Sequence, residues 1–554
     1  MDQETFSRKP QLNKGKACFN CRQRKVKCDA KKPICTPCGR FVGGGLQDCE
    51  YTERGPAQSQ ILQEQISILE SRIRDMERPR DMRMSVGLQN PYPASRLSIS
   101  DPATNVAPGE STFSFAHIPR GTPALAAAFT GRKSPSREFS QALISSFFPY
   151  ARQVGFFLSS QLFEALSSGT APTDVASPAL LDTIYLWGAH LSKLDTHQPR
   201  FLSDALRSTA AGLLHAHSPN AILHTIQAEL LLAQYFFHNS RILEGKYHVS
   251  AAVSIALSSG LHKIRSADVR DSVRSMVDAL SPAATALEEG ERINAFWAVF
   301  VVDTYWLAAD GSPADITYAV VDTPWPLDIG EYSEDSRALP VQSSGTIDNF
   351  LANFPDRGIS VPALHAKAAI IFEQASRLAA RYTENVEARA STAMLSAEFS
   401  RLDGVIEAFK TTLTPLDSSG SQSQSSLLIR TLAHVATIQL HNPFIFTSEV
   451  SCTRSRAAAM AVVALVRQTN LHELGYLDAI MGTLWTAACQ VFITELSRAQ
   501  YGHDLGPNEV RNIQQLGEAI ETLLSAMSVF SGGCRMIELQ LATAQRNYAA
   551  ARKR

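Results

Sequence analysis

The sequence predicts a mostly α-helical protein: a small cysteine-rich head, a short coiled coil, and an all-helical body of about 400 residues. Three observations carry this reading. From Phe139 almost to the C-terminus apolar residues recur at helical spacing, and alternating strand patterns are scarce. Six of the nine cysteines crowd between Cys18 and Cys49, in a segment with almost no apolar core. Between head and body, Leu62, Ile66, Leu69, Ile73 and Met76 recur at alternating spacings of four and three, the seam of a two-stranded coil.

Length and composition bound the rest. The chain has 554 residues, 45% of them hydrophobic. At roughly 150 residues per domain there is room for two to four units, and the apolar fraction excludes global disorder. Net charge is −1, but it is unevenly placed. Arg8, Lys9, Lys14, Lys16 and seven further basic residues lie between Arg8 and Cys49, opposed by Asp29 and Asp48 alone. A basic block on a neutral chain points to an anionic partner at that end, most simply nucleic acid.

No apolar core marks the N-terminal residues as a secretory signal. No apolar run approaches ~18 residues; the best candidate, Phe296 to Ala309, contains Asp303 and Thr304, so no membrane span is expected. Clustered thiols without secretion sit in a reducing compartment, where metal binding is favoured over disulfides.

The cysteine spacing is C-x2-C-x6-C-x6-C-x2-C-x10-C. Each C-x2-C pair presents two thiolates on a tight turn, as tetrahedral zinc requires. Two such zincs need eight metal–sulfur bonds, which six cysteines supply if two of them bridge both metals. Structural zinc contributes on the order of 10–16 kcal/mol per site, enough to fold a segment that lacks a core. A metallothionein-like store would not need the basic residues Arg22, Arg24, Lys25 and Lys27 that fill the gaps.

The stretch ACFNCRQRKVKCDAKKPICTPC, residues 17–38, resembles the zinc binuclear cluster (Zn2Cys6) DNA-binding domain of fungal transcription factors. It has the family's C-x2-C-x6-C start, the basic run after the second cysteine, and the proline before the fourth, Pro33. The last gap, with Gly43-Gly44-Gly45, is at the long end of the family's range. The resemblance implies two zinc ions held by Cys18, Cys21, Cys28, Cys35, Cys38 and Cys49, with Cys18 and Cys35 bridging. It implies a short helix from Phe19 to Lys25 in the major groove, where Lys25 reads CGG-type triplets beside Arg24, and Arg22, Lys27 and Lys16 meet the DNA as well, mostly through phosphates. A Lys or Arg contact to guanine O6 and N7 is the physical basis for reading GG steps. The same basic residues suit nuclear import. Pro37 fits the first turn of a second helix.

Behind the head, Thr52 to Ser59 reads as a linker. The seam Leu62–Met76 places Ile at a and Leu at d, with Arg72 and Glu77 as an interchain pair, until Pro79 stops the helix. Little more than two heptads are not stable alone; the alternative is a lone amphipathic helix packed on the body. Its place behind a zinc cluster favours dimerisation. Residues 79–138, rich in Pro, Ser, Ala and Arg, read as a disordered tether carrying candidate phosphorylation sites such as Ser134. The expected organisation is a disordered N-terminus 1–13, head 14–54, linker and coil 55–78, tether 79–138, helical body 139–546 and basic tail 547–554.

In the body, Ala221 to Tyr235 shows a long apolar face, and Ala251 to Leu257 has Ser254 as its one polar residue, predicting a helix buried nearly all round. Gly260 suits the residue after a helix end, closed by Leu261. Ile293, Phe296, Trp297, Phe300 and Val301 share a face, as do Leu484, Trp485, Ala488, Val491, Phe492 and Leu496. Residues 328–350 and Thr414 to Ser426 read as loops. The segments QAELLLAQY, EGKYHVSAAVSIALSSGLHK, ERINAFWAVFVVDTYW, GSPADI and DTPWP resemble, in that order, the fungal-specific transcription factor domain, or middle homology region. That domain's role is regulatory: restraining the head, binding partners or sensing small molecules.

Other chemistry-bearing residues do not form sites. His215, His217, His224, His238, His248 and His262 scatter over several helices with no completing ligand spacing. Cys452, Cys489 and Cys534 have no partner spacing, and Cys489 reads as a core residue. Asp303, beside Tyr305 and Trp306, reads as a helix-packing polar residue. No phosphate loop or nucleophile elbow is present, so no enzyme is expected. The reading is a nuclear, sequence-specific regulator of RNA polymerase II transcription. It would bind double-stranded DNA with CGG-like half-sites as a homodimer and contact the transcription machinery or co-regulators, with no membrane. The alternative is a ligand- or protein-binding helical module with the zinc head as an accessory.

Overall fold

Helix ends in the body follow local signals. Ser136 accepts from the Phe139 N–H (3.3 Å) to start α2, Arg137–Phe147. Ser177 caps α4, Pro178–Leu191, with Pro178 in its first turn. Thr285 caps α8, Ala286–Asp310, and Glu288 reaches back to the Ala284 N–H (2.7 Å). Gly260 at φ +73° follows α7, Ile242–Ser258, and buried Leu261 closes that end. Gly311 at φ +74° ends α8.

The structure is a computed structural model that describes residues 17–18, 21, 25–32, 34–40, 49, 135–167, 175–214, 219–266, 280–312, 316–332, 343–387, 393–413, 420–499 and 507–552. It forms two compact units, Met1–Met84 and Ser85–Arg554. The seam Leu62, Ile66, Leu69, Ile73 and Met76 and most of the expected tether lie outside the described residues.

The body is all-α, and its described residues contain no strand. The remaining helices are α3 Ser160–Ser167, α5 Gln198–Leu214, α6 Pro219–His238, α9 Thr346–Leu351, α10 Val361–Glu387, α11 Ala393–Thr412, α12 Gly420–His441, α13 Glu449–Gln468, α14 Ile480–Ala499, α15 Pro507–Ser531 and α16 Arg535–Arg552. The first half pairs α2 with α4, α4 with α5 and α6 with α7. Helix α8 lies between α7 and α10 and also meets α6 and α14, so almost every residue from Arg292 to Ala309 is buried. Its aromatics pack in stacked pairs: Trp297 stacks on Trp325 at 4.6 Å and Trp306 on Phe237 at 4.1 Å. Each buried side chain of this size stabilises the fold by about 1.5–3 kcal/mol. The second half packs α10 on α12, α12 on α13 and α14 on α15 and α16, and α16 returns to touch α6. One core therefore runs from Phe139 to Ala551.

Four expectations need correction. Helix α7 is not buried all round: Ala252, Val253 and Ala256 are buried, Ser254 is exposed, and Leu243 and Tyr247 stand more than 70% exposed. Among the described residues its main neighbours are α6 and α8, and Leu243, Tyr247 and Ser254 are left exposed. The expected loop through Ser426 is helical from Gly420, because Gln424 and Leu427 are buried against the core and tertiary packing overrides the weak propensity of Ser and Gln. The expected loop at 328–350 contains α9, anchored by buried Ile347 and Phe350. Residues 547–552 of the expected tail belong to α16, whose Ala551 is buried.

Asp303 is buried within α8. His224 accepts from the Ser177 N–H (3.2 Å), His238 meets His190 (3.1 Å) and His248 meets Glu229 (2.5 Å). The candidate metal-ligand groups among the described residues contain no histidine; His215 and His217 lie outside them. Cys489 is fully buried, and burial raises its thiol. No helix among the described residues is long and apolar enough to cross a membrane.

Candidate metal centre and nucleic-acid interface

Among its described residues the head has almost nothing to pack: the buried side chains there are Cys18, Cys21 and Cys35, while Val26 and Ile34 are more than 40% exposed. What the short segments share is sulfur. Cys35 stands as N-cap of α1, Thr36–Gly39, with Pro37 in its first turn. That places Cys35 and Cys38 on one tight turn, closed by the Cys38 N–H to the Cys35 C=O at 3.0 Å.

The structure brings all six cysteines together in two groups of four. Cys18, Cys21, Cys28 and Cys35 form one; Cys18, Cys35, Cys38 and Cys49 form the other; within each, the sulfurs lie within 4.8 Å of one another. Cys18 and Cys35 belong to both. Four thiolates around zinc at a Zn–S distance near 2.3 Å stand roughly 3.8 Å apart. Cys18 to Cys35 is 3.7 Å, Cys18 to Cys38 3.8 Å and Cys21 to Cys35 3.5 Å. Cys21 to Cys38, at 3.7 Å, crosses between the groups. This donor set fits zinc.

Backbone N–H groups support the outer sulfurs. Cys28 Sγ accepts from the N–H of Cys18 (3.5 Å) and Ala30 (3.4 Å), and Cys49 Sγ from that of Cys35 (3.3 Å). Burial raises the thiols of Cys18, Cys21, Cys35 and Cys38. Burial acts on Cys28 too, but its two N–H donors outweigh it and bring the thiol down to about 7. Against burial, hydrogen bonding from Cys35 lowers the Cys49 thiol. These donors favour the thiolate, the form that binds metal.

Lys25 lies in a turn four residues beyond helical Cys21. It takes φ +52°, and the Val26 N–H bonds back to the Cys21 C=O at 3.0 Å. A six-to-one bond around a left-handed residue is the Schellman form of helix end, usually made by glycine. Here a lysine holds the position, exposed, and Val26 and Lys27 after it are exposed as well. Arg22, Arg24 and Lys16 lie outside the described residues.

Sequence reasoning did not find the clasp across the head. Asp29 accepts from the Thr36 N–H at 2.9 Å and, with its other oxygen, from the Thr36 hydroxyl. It ties the segment after Cys28 to the first turn of α1, and the Thr36 hydrogen bonds hold its carboxyl below the usual range. No local pattern in the sequence announces a contact between residues seven apart across a proline.

Comparison with known proteins agrees with this geometry. Residues 16–57 match the family model of the fungal Zn(2)-Cys(6) binuclear cluster domain. Residues 144–368 match that of the fungal specific transcription factor domain. The chain is 24% identical over 331 residues to the notoamide biosynthesis cluster transcriptional coactivator notQ' of Aspergillus versicolor, an alignment covering 57% of this chain and 59% of that protein. The chain thus spans less than two thirds of that relative's length. No solved structure matches it significantly. With a cysteine head in front and the helical domain behind, the chain carries the two domains of fungal Zn2Cys6 transcription factors, the zinc-binding cluster domain and the fungal specific transcription factor domain.

Proposed function

We propose that the head reads CGG-like half-sites in the major groove, that the chain does so as a homodimer in the nucleus, and that the helical body regulates the contact. The observation that carries this is the pair of four-sulfur groups sharing Cys18 and Cys35, with Lys25 exposed in the turn between Cys21 and Cys28. Cys21 and Cys28 complete one zinc site, Cys38 and Cys49 the other, and Cys18 and Cys35 bridge. Bound zinc supplies structure here: it fixes the helical turn where no apolar core does.

Each basic residue has its part. Lys25 sits at the helix end, where a long cationic side chain reaches guanine O6 and N7. Arg24 flanks it, while Arg22, Lys27 and Lys16 neutralise phosphates and make affinity fall with salt. The seam Leu62, Ile66, Leu69, Ile73 and Met76 pairs two heads, so that linker length sets half-site spacing. The body then works on the RNA polymerase II machinery or co-regulators.

Selection of bound duplexes from random DNA by the zinc-loaded full-length chain tests this. Enrichment of paired CGG-type triplets at one spacing is expected. Recovery of DNA with no common triplet sinks the base-reading claim, and single triplets without a partner sink the dimer.

A further inference from the structure

The contact between Asp29 and Thr36 lies outside the sulfur groups and outside the basic residues assigned to DNA. Asp29 follows Cys28, an outer sulfur of one group, and Thr36 follows Cys35, which belongs to both. The carboxylate accepts the Thr36 N–H on one oxygen (2.9 Å) and the Thr36 hydroxyl on the other. It closes a loop that carries exposed Lys31 and Lys32. Asp29 and Thr36 are themselves exposed, so the contact opens in water without unfolding a core.

Thr36 is also followed by Pro37. A protein kinase of the proline-directed class takes a serine or threonine whose next residue lacks a backbone N–H. The Ser–Pro and Thr–Pro pairs whose two residues are both described differ in what their hydroxyls offer. Thr323 is buried, where it donates to the Leu261 C=O, and half-buried Ser177 caps α4. Ser281 is exposed, and its backbone C=O accepts from Arg292 (2.6 Å), so a phosphate there would stand beside a guanidinium. Among these pairs, Thr36 is the one that combines exposure with a hydroxyl donating to a carboxylate next to a sulfur group.

Phosphorylation reverses the sign of that contact. A bond forms between Thr36 Oγ1 and the γ-phosphorus of ATP, the bond from that phosphorus to the bridging oxygen breaks, and ADP leaves; the hydroxyl proton passes to the kinase. The donor to Asp29 is then gone, and a group of about −1.5 to −2 charges stands against the carboxylate. Like charges at this distance repel, so the loop must move away from the first turn of α1. The described part of the head has no apolar core to hold the loop otherwise. The movement starts one residue from Cys28 at one end and one residue from shared Cys35 at the other. The new charge also sits within the basic head, where it subtracts from the attraction to DNA phosphates.

We infer that Thr36 is a phosphorylation site for a proline-directed kinase, and that the added phosphate opens the Asp29 contact, loosens the metal and takes the head off DNA. A kinase acting here reaches the DNA-binding head directly, with no signal passing through the helical body. The inference rests on the head binding zinc and DNA, and not on the triplet it reads or on the pairing of two heads.

The test treats zinc-loaded full-length protein with ATP and a purified proline-directed kinase, and maps the phosphate by mass spectrometry. Zinc retention under a chelator and affinity for mixed-sequence duplex are then measured, so the outcome is separate from that of the CGG-reading proposal. Phosphate on Thr36 is expected, with faster zinc loss and a fall in duplex affinity of at least about tenfold. Pro37→Ala should lose the mark at Thr36 and keep the mark at Ser281. Thr36→Val, which has no hydroxyl to modify, should show no such fall after kinase treatment. In Asp29→Asn the side-chain amide donates to the phosphate, so kinase treatment should leave zinc retention unchanged while duplex affinity still falls. No phosphate at Thr36 overturns the site. Phosphate there with unchanged duplex affinity, or an equal fall in Thr36→Val, overturns the switch. Equal zinc loss after treatment in the native chain and Asp29→Asn overturns the opening of the Asp29 contact.

Discussion

The sulfurs of Cys18 and Cys35 lie 3.7 Å apart, and each belongs to both groups of four. Shared ligands make the two zincs interdependent. Full-length protein should carry two zincs by elemental analysis. Cys18→Ala or Cys35→Ala should lose both, whereas Cys49→Ala should retain one. With structural zinc worth on the order of 10–16 kcal/mol per site, a bridging loss unfolds the head. Equal metal loss from bridging and outer variants would argue against shared sulfurs.

Lys25 combines a backbone role with a side-chain role, and the two separate by substitution. Lys25→Ala should weaken binding to the selected site by about 1–3 kcal/mol and relax base preference. Lys25→Gly should lose the same DNA affinity but stabilise the head, since glycine accepts φ +52° without the roughly 1–2 kcal/mol cost of a side chain there. Competition titrations on selected and scrambled duplexes, with zinc retention under chelator, measure the two effects. Lys27→Ala, by contrast, should weaken all DNA about equally and reduce the salt slope by about one.

If the seam Leu62–Met76 joins two chains, a charge in its middle must break it. Leu69→Asp should convert a dimer to a monomer in sedimentation experiments and abolish the preference for paired half-sites. Unchanged mass would reassign the helix to packing on its own chain.

Two glycines give opposite outcomes in the body. At Gly188 of α4 a Cβ would stand 2.3 Å from the backbone carbonyl oxygen of Leu143 in α2, where neither helix can yield easily. Gly188→Ala should destabilise by about 1–3 kcal/mol or more. Gly404 lies inside α11 with open space around its Cβ direction. Gly404→Ala should stabilise by about 0.5–1 kcal/mol. Denaturant titrations at constant m-value check both.

The body should be acid-sensitive through its buried histidines. Burial lowers His224 and His434 to about 4. The unfolded chain then holds more protons than the folded one between pH 6.5 and about 4, so stability falls as pH drops through that window. Each such histidine contributes a slope of up to about 1.4 kcal/mol per pH unit. Urea unfolding at pH 7 and pH 5 should show the loss, and His434→Gln should reduce it. An identical slope in the variant removes His434 from this role.

Much of this protein was legible in its residues because the signals are local. A C-x2-C pair announces a metal turn, and Gly260 followed by Leu261 announces a helix end. The apolar period in Ile293, Phe296, Trp297 and Phe300 announces a helix that meets the core. Where a segment's state depends on what packs against it, the pattern misled. Ser and Gln from Gly420 to Ser426 look like a loop until Gln424 and Leu427 are placed against the core. Leu243 and Tyr247 look interior until the outer face of α7 proves open.

The sequence by itself determined the class of fold and the chemistry of the head, since ligand type, ligand count and helical period are written in residue order. Only the tertiary structure decided that Asp29 clasps Thr36, that Lys25 turns left-handed, and that Gln153, Gln234, Gln424 and His365 line one cavity. Those facts rest on contacts between residues far apart in sequence: Tyr305 reaches Asp478 across 173 positions. Local pattern carries no record of such distances, because they are set by how whole helices pack.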